Sequence, residues 1–285
     1  MGIWQAVLVA LVQNVLLKGS IVQIPIYQID AFTKSPFQGN PAAVCPLDAW
    51  LADDVLQAIA MENNLSETAF IVSEGDGFRL RWFTPGIEVD LCGHATLATG
   101  HLILNQLSPE RDAVGFETRS GRLEVSRAGD GLAMDFPVLA PGQAMEPEPA
   151  LLSAMGATPL ECLPIREVHG SPYVMLVFEN EAQVAALTPN FAALGANVIV
   201  TAPGDKVDFV SRFFAPLSGI DEDPVTGSAH CTLAPYWAER LGKTELVARQ
   251  VSARGGDVGC RLQGDRVILT GRCAFYMEGR IEVPV

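Results

Sequence analysis

Two segments of the sequence place a glycine directly before a polar residue, at the predicted start of an apolar helix. They read Gly86-Ile-Glu-Val-Asp-Leu-Cys-Gly93-His94 and Gly219-Ile-Asp-Glu-Asp-Pro-Val-Thr-Gly227-Ser228. The first turn of a helix presents free backbone N–H groups and the positive end of the helix dipole. Taken singly, such a glycine is an ordinary turn or cap residue. Two such helix starts facing each other across a cleft would bind a carboxylate or an enolate-like anion.

Glu67 is the main candidate for an acid–base group. It lies in Asn64-Leu-Ser-Glu-Thr-Ala-Phe70, between the end of a predicted helix and an apolar strand. A carboxylate in this position is either exposed at the turn or partly buried. A carboxylate positioned beside a substrate can take a proton from carbon and return it elsewhere.

The other residues with chemical potential are weaker candidates. His94 and His101 are seven residues apart with no third ligand in sight, so we predict that the protein binds no metal. His169 and His230 are isolated, and we expect them to be structural. Cys92 lies at a predicted helix start, where a thiol would have a lowered pKa. The sequence contains no P-loop, no G-x-G-x-x-G, no G-x-S-x-G and no H-E-x-x-H motif.

Composition limits the class of partner. The 285 residues include 19 Lys and Arg against 33 Asp and Glu, a formal net charge of −14. Such an acidic chain is a poor match for a nucleic acid or an anionic membrane, so an anionic substrate would have to be held by local dipoles. The six cysteines are at least 13 residues apart, which is typical of reduced, buried thiols in a cytoplasmic protein.

The N-terminus carries an apolar stretch that we expect to lie outside the fold. Residues 3–17 are mostly apolar, but the run is too short to span a bilayer and has no basic residues ahead of it. We therefore predict that residues 1–21 are either an amphipathic extension or a stretch upstream of the natural start, and we favour the second.

The predicted elements indicate an α+β protein. Apolar residues at helical spacing predict helices over 48–63 and 95–107, and strands occur between them without strict alternation. Residues 136–150 contain four prolines and are predicted to connect two parts of the chain. These parts are 22–135 and 151–272, and we expect the last residues, about 273–285, to return to the first.

The two parts resemble each other in sequence. Gly39-Asn-Pro-Ala-Ala-Val-Cys45 matches Gly170-Ser-Pro-Tyr-Val-Met-Leu176, and Arg81-Trp-Phe-Thr-Pro85 matches Arg212-Phe-Phe-Ala-Pro216, both at an offset of 131 residues. The two glycine-initiated helices follow at nearly the same offset. We infer an internally duplicated protein with two similar halves.

These motifs together resemble the phenazine-biosynthesis PhzF-like isomerase family. The segments that carry the resemblance are Asp30-Ala-Phe, Gly39-Asn-Pro, Asn64–Phe70, Asp90-Leu-Cys-Gly-His-Ala-Thr96, Asp223-Pro-Val-Thr-Gly-Ser-Ala-His230 and Gln250-Val-Ser-Ala-Arg-Gly-Gly256. The resemblance runs from about Ile24 to the C-terminus. It implies a diaminopimelate epimerase-like fold with two pseudo-symmetric α+β halves. Each half would wrap a curved sheet around a central helix, with the active site between them.

The resemblance also implies roles for particular residues. Glu67 would shuttle a proton on the substrate's carbon skeleton, and His94 and Asp223 would be catalytic with it. Ser228 and the backbone amides of Gly93 and Gly227 would bind the substrate carboxylate. No cofactor is implied.

The cysteines bear on a racemase or epimerase alternative. Racemases of this fold use two thiols, one on each face of the substrate carbon. Cys92 occupies the first position, but the matching turn of the second half, which starts at Asp223, has no cysteine, and Cys231 lies inside the following helix. A carboxylate-based proton shift is therefore favoured.

We accordingly predict a cofactor-independent isomerase of PhzF-like type. Its expected partners are a small carboxylate-bearing substrate and a second copy of the chain in a homodimer, with neither nucleic acid nor membrane. The alternatives are a racemase or epimerase of the same fold, and a catalytically silent binding protein that retains it. Fold and catalytic residues do not identify the metabolite.

Overall fold

The computed structural model describes residues 21–168 and 171–284. Residues 1–20 of the predicted N-terminal extension, and His169, lie outside the described residues. Ile21, the last residue assigned to that extension, is the first residue of strand β1 and pairs with Pro284. The predicted extension is therefore one residue too long.

From Ile21 onward, the first half contains eight strands and two helices. The strands are β1 (Ile21–Ala31), β2 (Asn40–Leu47), β3 (Glu67–Glu74), β4 (Gly77–Phe83), β5 (Glu88–Val89), β6 (Ala113–Thr118), β7 (Gly121–Ala128) and β8 (Gly131–Pro137). The helices are α1 (Asp53–Asn63) and α2 (Gly93–Leu102), and α2 continues into a π-helical turn, Ile103–Leu107. The helix predicted over 48–63 begins late because Leu47 still belongs to β2 and Ala52 is extended.

The second half repeats this arrangement. Its strands are β9 (Glu161–Val168), β10 (Ser171–Val177), β11 (Asn197–Pro203), β12 (Phe209–Ala215), β13 (Ile220–Asp223), β14 (Glu245–Gln250), β15 (Gly256–Gln263) and β16 (Arg266–Gly271). Its helices are α3 (Pro149–Met155), α4 (Glu181–Ala186) and α5 (Gly227–Leu241), with short 3-10 turns at Phe191–Ala193 and Pro216–Ser218. The final strand is β17 (Cys273–Pro284).

Strand pairing shows the duplication directly. In the first half β2 pairs antiparallel with β1 and parallel with β3, and β4 pairs antiparallel with β3 and parallel with β6. In the second half β10 pairs antiparallel with β9 and parallel with β11, and β12 pairs antiparallel with β11 and parallel with β14. The prediction of two pseudo-symmetric α+β halves is confirmed.

The halves are joined at two places in the sheet network. β8 of the first half pairs with β16 of the second, and β17 pairs with β1 along its whole length. Between β8 and α3, residues 138–148 contain an isolated bridge at Met145 and no named helix or strand. The division into 22–135, a 136–150 connector and 151–272 stays a prediction.

Each half surrounds one central helix. In α2 every residue from His94 to Gly100 is buried, and the helix packs against β1, β2, β3, β7 and β8. Helix α5 is buried over most of its length and packs against β14, β15 and β16. A helix that is apolar on all sides is stable only when it is enclosed, so these sequences fix both helices inside the sheets. Because both helices are enclosed, their first residues have fixed positions in the fold.

A second repeated feature is an arginine–glutamate pair at the same place in each half. Arg81 contacts Glu88 with Nε–Oε1 and Nη2–Oε2 distances of 2.7 and 2.8 Å, and Arg212 contacts Glu222 at 2.7 and 2.9 Å. Each guanidinium also lies over a phenylalanine two residues later in its strand. Both glutamates belong to the acidic turns that precede the glycine-initiated helices, so each pair ties such a turn to the sheet.

Removing Arg212 should destabilise the protein more than removing Arg81. The pairs are mostly buried, with side-chain exposures of 16% and 12% in the first half and 11% and 19% in the second. Because Glu222 would be left as a partly buried charge without its arginine, Arg212→Met should lower the free energy of unfolding by about 3 kcal/mol. Arg81→Met should lower it by less, because Nη2 of Arg119 lies 2.7 Å from Oε2 of Glu88 and still pairs with that carboxylate. Denaturant unfolding measures this. Arg266→Met, which removes an exposed pair with Asp135, should change it by less than about 1 kcal/mol. Equal losses in all three variants would contradict the account.

The cysteines and the helices also bear on the class of protein. All six cysteines are free thiols, and five of them are buried. Within residues 21–168 and 171–284, none of the helices has the length and apolar character that crossing a membrane requires. The cytoplasmic location stays a prediction.

Candidate active site

The first residues of the two central helices lie side by side. A Cβ atom built on Gly93 would lie 3.7 Å from the Cα atom of Gly227, and one built on Gly227 would lie 3.8 Å from the Cα atom of Gly93. Among the described residues no side chain caps either helix through its N-cap residue, Cys92 or Thr226. The first N–H groups of both helices therefore converge, which is the arrangement that favours a bound anion.

Glu67 and His94 form the acid–base pair nearest to these helix starts. Glu67 is the first residue of β3, and its Oε2 atom lies 3.0 Å from Nε2 of His94. The His94 side chain is 6% exposed and that of Glu67 is 17% exposed, so the carboxylate is partly buried, one of the two situations considered from the sequence. Its remaining exposure leaves it open to a substrate.

Asn40 connects the two halves at this point. Its Nδ2 group donates to Oδ1 of Asp223 at 2.7 Å and to the carbonyl of Val225 at 2.9 Å, and it lies 3.1 Å from Nδ1 of His94. Among the described residues its Oδ1 atom has no hydrogen-bond partner although it is buried. The sequence motif Gly39-Asn-Pro pointed to this residue without indicating a role for it.

Asp223 is held from three directions at the end of β13. The Thr226 hydroxyl donates to its Oδ2 atom, and Nε2 of Gln250 donates to its backbone carbonyl at 2.7 Å. Gln250 also accepts from the Thr226 amide at 2.9 Å. Burial raises the pKa of Asp223 to about 6, and the Glu67 charge adds to this, while His94 and the hydrogen bonds from Thr226 and Asn40 oppose it. A carboxyl group with this pKa exchanges its proton close to neutral pH.

The neighbours of His94 shift the pKa of its imidazole. Burial lowers the pKa of the imidazole, but the nearby Cys92 and Glu67 groups outweigh burial and raise the pKa well above its usual value. The Cys92 Sγ atom lies 3.6 Å from Nδ1 of His94. Nε2 of the His94 imidazole therefore faces the Glu67 carboxylate, and its Nδ1 atom faces Cys92 and Asn40.

The expectation for Cys92 is wrong. We expected its position at a helix start to lower the pKa of the thiol, but burial raises that pKa to about 11, and the charge of Glu67 adds to the effect. The helix dipole is outweighed because the thiol is almost completely removed from solvent. Cys92 is therefore a protonated thiol at neutral pH.

Ser228 differs from the other candidate residues. It lies exposed in the first turn of α5, next to Gly227. In the described part of the chain its side chain contacts none of Glu67, His94 and Asp223 through a hydrogen bond. Its hydroxyl group is accessible beside the convergent helix starts.

A metal was expected to be absent, and that expectation stays a prediction. Ligand atoms of Glu67, Cys92 and His94 lie within 4.8 Å of one another, and within the described residues these three form the one cluster that could hold an ion. Carboxylate, thiolate and imidazole are donors that Zn²⁺ accepts, but Cys92 would have to lose its proton first.

Two of the remaining histidines lie in the described residues. His230 is completely buried in α5, with Nδ1 lying 2.8 Å from the Thr226 carbonyl, and burial lowers its pKa to about 4. It is therefore a neutral side chain that supports the helix. His101 lies near the C-terminal end of α2, away from the helix start.

Comparison with known proteins identifies the family of the chain. The family model described as "Phenazine biosynthesis-like protein" matches residues 29–279. Two relatives from Pseudomonas aeruginosa are "Uncharacterized isomerase PA2770" and "Uncharacterized isomerase PA3578", which are 52% and 50% identical to this chain. Each alignment covers 92% of this chain and 100% of the relative. The crystal structure of a phenazine biosynthesis protein of the PhzF family from Enterococcus faecalis superposes with a TM-score of 0.86 at 45% identity, covering 91% of this chain and 99% of that one.

Proposed function

This chain belongs to the phenazine biosynthesis-like protein family, and on that premise we propose that it is an isomerase that relocates a proton on a small carboxylate-bearing substrate. The isomerase class follows from its close relatives, which are named isomerases and align with it over their whole length. The kind of substrate and the mechanism are argued from the site itself.

The observation that carries the proposal is the convergence of three acid–base groups beside two open helix starts. Glu67 and His94 are in contact, and Asp223 reaches them from the other half through Asn40. The backbone amides that begin α2 and α5 can hold the substrate carboxylate. A carboxylate held there would place the neighbouring carbon atoms within the space that the acid–base groups surround.

The proposed reaction balances with groups of this chain alone. Glu67 removes a proton from one carbon, and the electron pair left behind delocalises into the conjugated system of the substrate. His94 and Asp223 stabilise the resulting negative charge by hydrogen bonding or by proton donation. Glu67 then returns the proton to a different carbon and becomes a carboxylate again, and a double bond changes its position. Nothing is oxidised or reduced, and no atom is lost.

A racemase or epimerase of the same fold is the second candidate, and the state of Cys92 weighs against it. Its thiol has a pKa of about 11, so little thiolate exists at neutral pH to act as a base. The Sγ atom of Cys231 lies 3.7 Å from the Gly227 carbonyl inside α5 and therefore does not provide the second thiol at the opposite turn.

Cys92→Ala should keep most of the activity. Because the thiol is a buried neighbour of His94 and not the base, we expect turnover to fall by less than about tenfold. Steady-state kinetics on an identified substrate measures this, with circular dichroism to verify folding. A loss of turnover by several orders of magnitude in a folded variant would favour a racemase or epimerase mechanism.

A catalytically silent binding protein is distinguished by one experiment. Small carboxylates are screened for those that raise the melting temperature, because ligands that bind only the folded state stabilise it. Each stabilising compound is then incubated with the protein and followed by NMR. The proposal predicts conversion of at least one of them into a positional isomer. Stabilisation without conversion of any of them would favour the silent protein.

A further inference from the structure

A basic cavity lies at the C-terminal end of α2, at the other end of this helix from the candidate active site. It has a volume of about 480 Å³ and is lined by Lys34, His101, Arg127, Asp130 and Arg272 together with smaller residues. A cavity of this size is in the range that holds a small organic ligand. Its position at the C-terminal end of α2 separates it from the helix starts by the length of the helix.

The charge of the cavity is opposite to that of the protein. Three of its lining side chains are permanently or normally cationic, whereas its one carboxylate, Asp130, is paired with Arg272. The whole chain carries a formal charge of −14. A local excess of positive charge in so acidic a protein is a specific arrangement of residues and does not follow from composition.

Arg127 is held in place by neutral acceptors. Its guanidinium donates to the backbone carbonyls of Leu104, Pro109 and Arg111 and to Oδ1 of Asn105. These contacts fix the side chain at the end of the π-helical turn but do not neutralise its charge. The positive charge therefore remains available to an anion in the cavity.

Lys34 is kept beside Arg272 by the backbone. The amide of Thr33 donates to the Arg272 carbonyl at 3.0 Å, so the next residue, Lys34, follows directly at the cavity wall. In the described part of the chain the Lys34 ammonium group has no ion pair or hydrogen bond. Burial and the charge of Arg127 lower the pKa of the fourth basic residue, His101, as expected where the local potential is positive.

We propose that this cavity is a second ligand site that binds a small dianion, distinct from the candidate active site. Lys34 and Arg272 would contact its negatively charged oxygens, His101 would donate a further hydrogen bond, and the fixed charge of Arg127 would attract the anion without a direct contact. A phosphate group and a dicarboxylate share this chemistry, and the cavity has room for a short carbon chain attached to either.

The test uses inorganic phosphate and malonate in separate titrations of the full chain. The local probe is the ring-proton NMR signal of His101, assigned by its loss in His101→Gln. Because an anion in the cavity favours the imidazolium, the proposal predicts that one or both probes move this signal toward its protonated position in a saturable way. A response to phosphate alone identifies a phosphate group, and a response to malonate alone identifies a dicarboxylate. No response to either would overturn the proposal.

Variants of the cavity decide whether its cations bind the anion. Lys34→Gln combined with Arg272→Gln should lower the affinity for the responding probe by about tenfold or more, since two charge-assisted contacts are removed. The matched control is Arg79→Gln, which removes an exposed arginine on β4 whose side chain is 51% exposed, and it should leave the affinity unchanged. Equal affinity in the double variant and the parent would overturn the proposal, as would an equal loss in the control.

Discussion

Glu67→Gln should lower turnover by about three orders of magnitude or more. The amide keeps the shape of the side chain and can still accept a hydrogen bond from His94, but it cannot take a proton from carbon. Because we propose that the amides of the two helix starts hold the substrate carboxylate, its binding affinity should change little. Steady-state kinetics measures the first effect and calorimetry the second.

The matched control is Glu62→Gln. Glu62 lies five residues earlier, exposed near the end of α1, and its replacement should leave both turnover and affinity unchanged. Normal turnover in Glu67→Gln would show that another group carries the proton. A large loss of carboxylate affinity would show that Glu67 shapes the binding site and not only the chemistry.

Asp223→Asn should lower turnover by about a hundredfold and raise stability at neutral pH. The catalytic loss is that of a general acid–base group. The new amide can keep both hydrogen bonds. Its oxygen accepts from Nδ2 of Asn40, and its NH2 group donates to the Thr226 hydroxyl once that hydroxyl has rotated. The stability gain arises because the carboxylate is buried with a pKa of about 6 against 3.8 in the ordinary state.

The sign of the pH dependence follows from that difference. A raised pKa means that the folded protein binds the proton more tightly, so the group favours folding below about pH 4 and loses this contribution as the pH rises through 6. Above pH 7 the buried carboxylate should cost about 3 kcal/mol. The gain of Asp223→Asn over the parent should therefore be largest at pH 8 and shrink by about this amount at pH 4.

Denaturant unfolding at several pH values measures this effect. Asp221→Asn serves as the control, because Asp221 is exposed two residues earlier in β13 and its replacement should show no such pH dependence. A stability difference between Asp223→Asn and the parent that does not change with pH would contradict the raised pKa and, with it, the role of Asp223 as a proton donor near neutral pH.

The parts of the fold that repeat were predictable from the sequence. Arg81 and Arg212 recur at the offset that relates the halves, and the structure places each in the same ion pair. Gly93 and Gly227 were likewise visible because a glycine before a buried helix is a local pattern. Local sequence patterns of this kind recur in both halves, since the two halves have the same backbone arrangement.

The contacts between the halves were not predictable in the same way. Asn40 bridges His94 and Asp223, and Asp223 lies 183 residues after Asn40 in the sequence. No spacing rule indicates which side chain will reach across a cleft. The pKa of Cys92 was missed for a related reason. Its position at the start of α2 is local, but its burial depends on the elements that pack around it.

Helix boundaries were the least predictable detail. The spacing of apolar residues extended the first helix back to residue 48, although α1 begins at Asp53. Leu51 keeps the helical spacing but belongs to the segment before the helix, and periodicity alone does not show where an extended chain turns. The helix predicted over 95–107 begins at Gly93 as α2 and gives way to a π-helical turn after Leu102. The roles of the site residues stay a prediction.

The central claim is that Glu67 moves a proton between carbon atoms, and solvent deuterium tests it most directly. The parent protein is incubated with a converted substrate in deuterated water, and the product is examined by NMR and mass spectrometry. The account predicts deuterium on a carbon of the product with the parent and with Cys92→Ala, and none above background with Glu67→Gln. Deuterium incorporation by Glu67→Gln at the parental rate, or its loss in Cys92→Ala alone, would contradict the account.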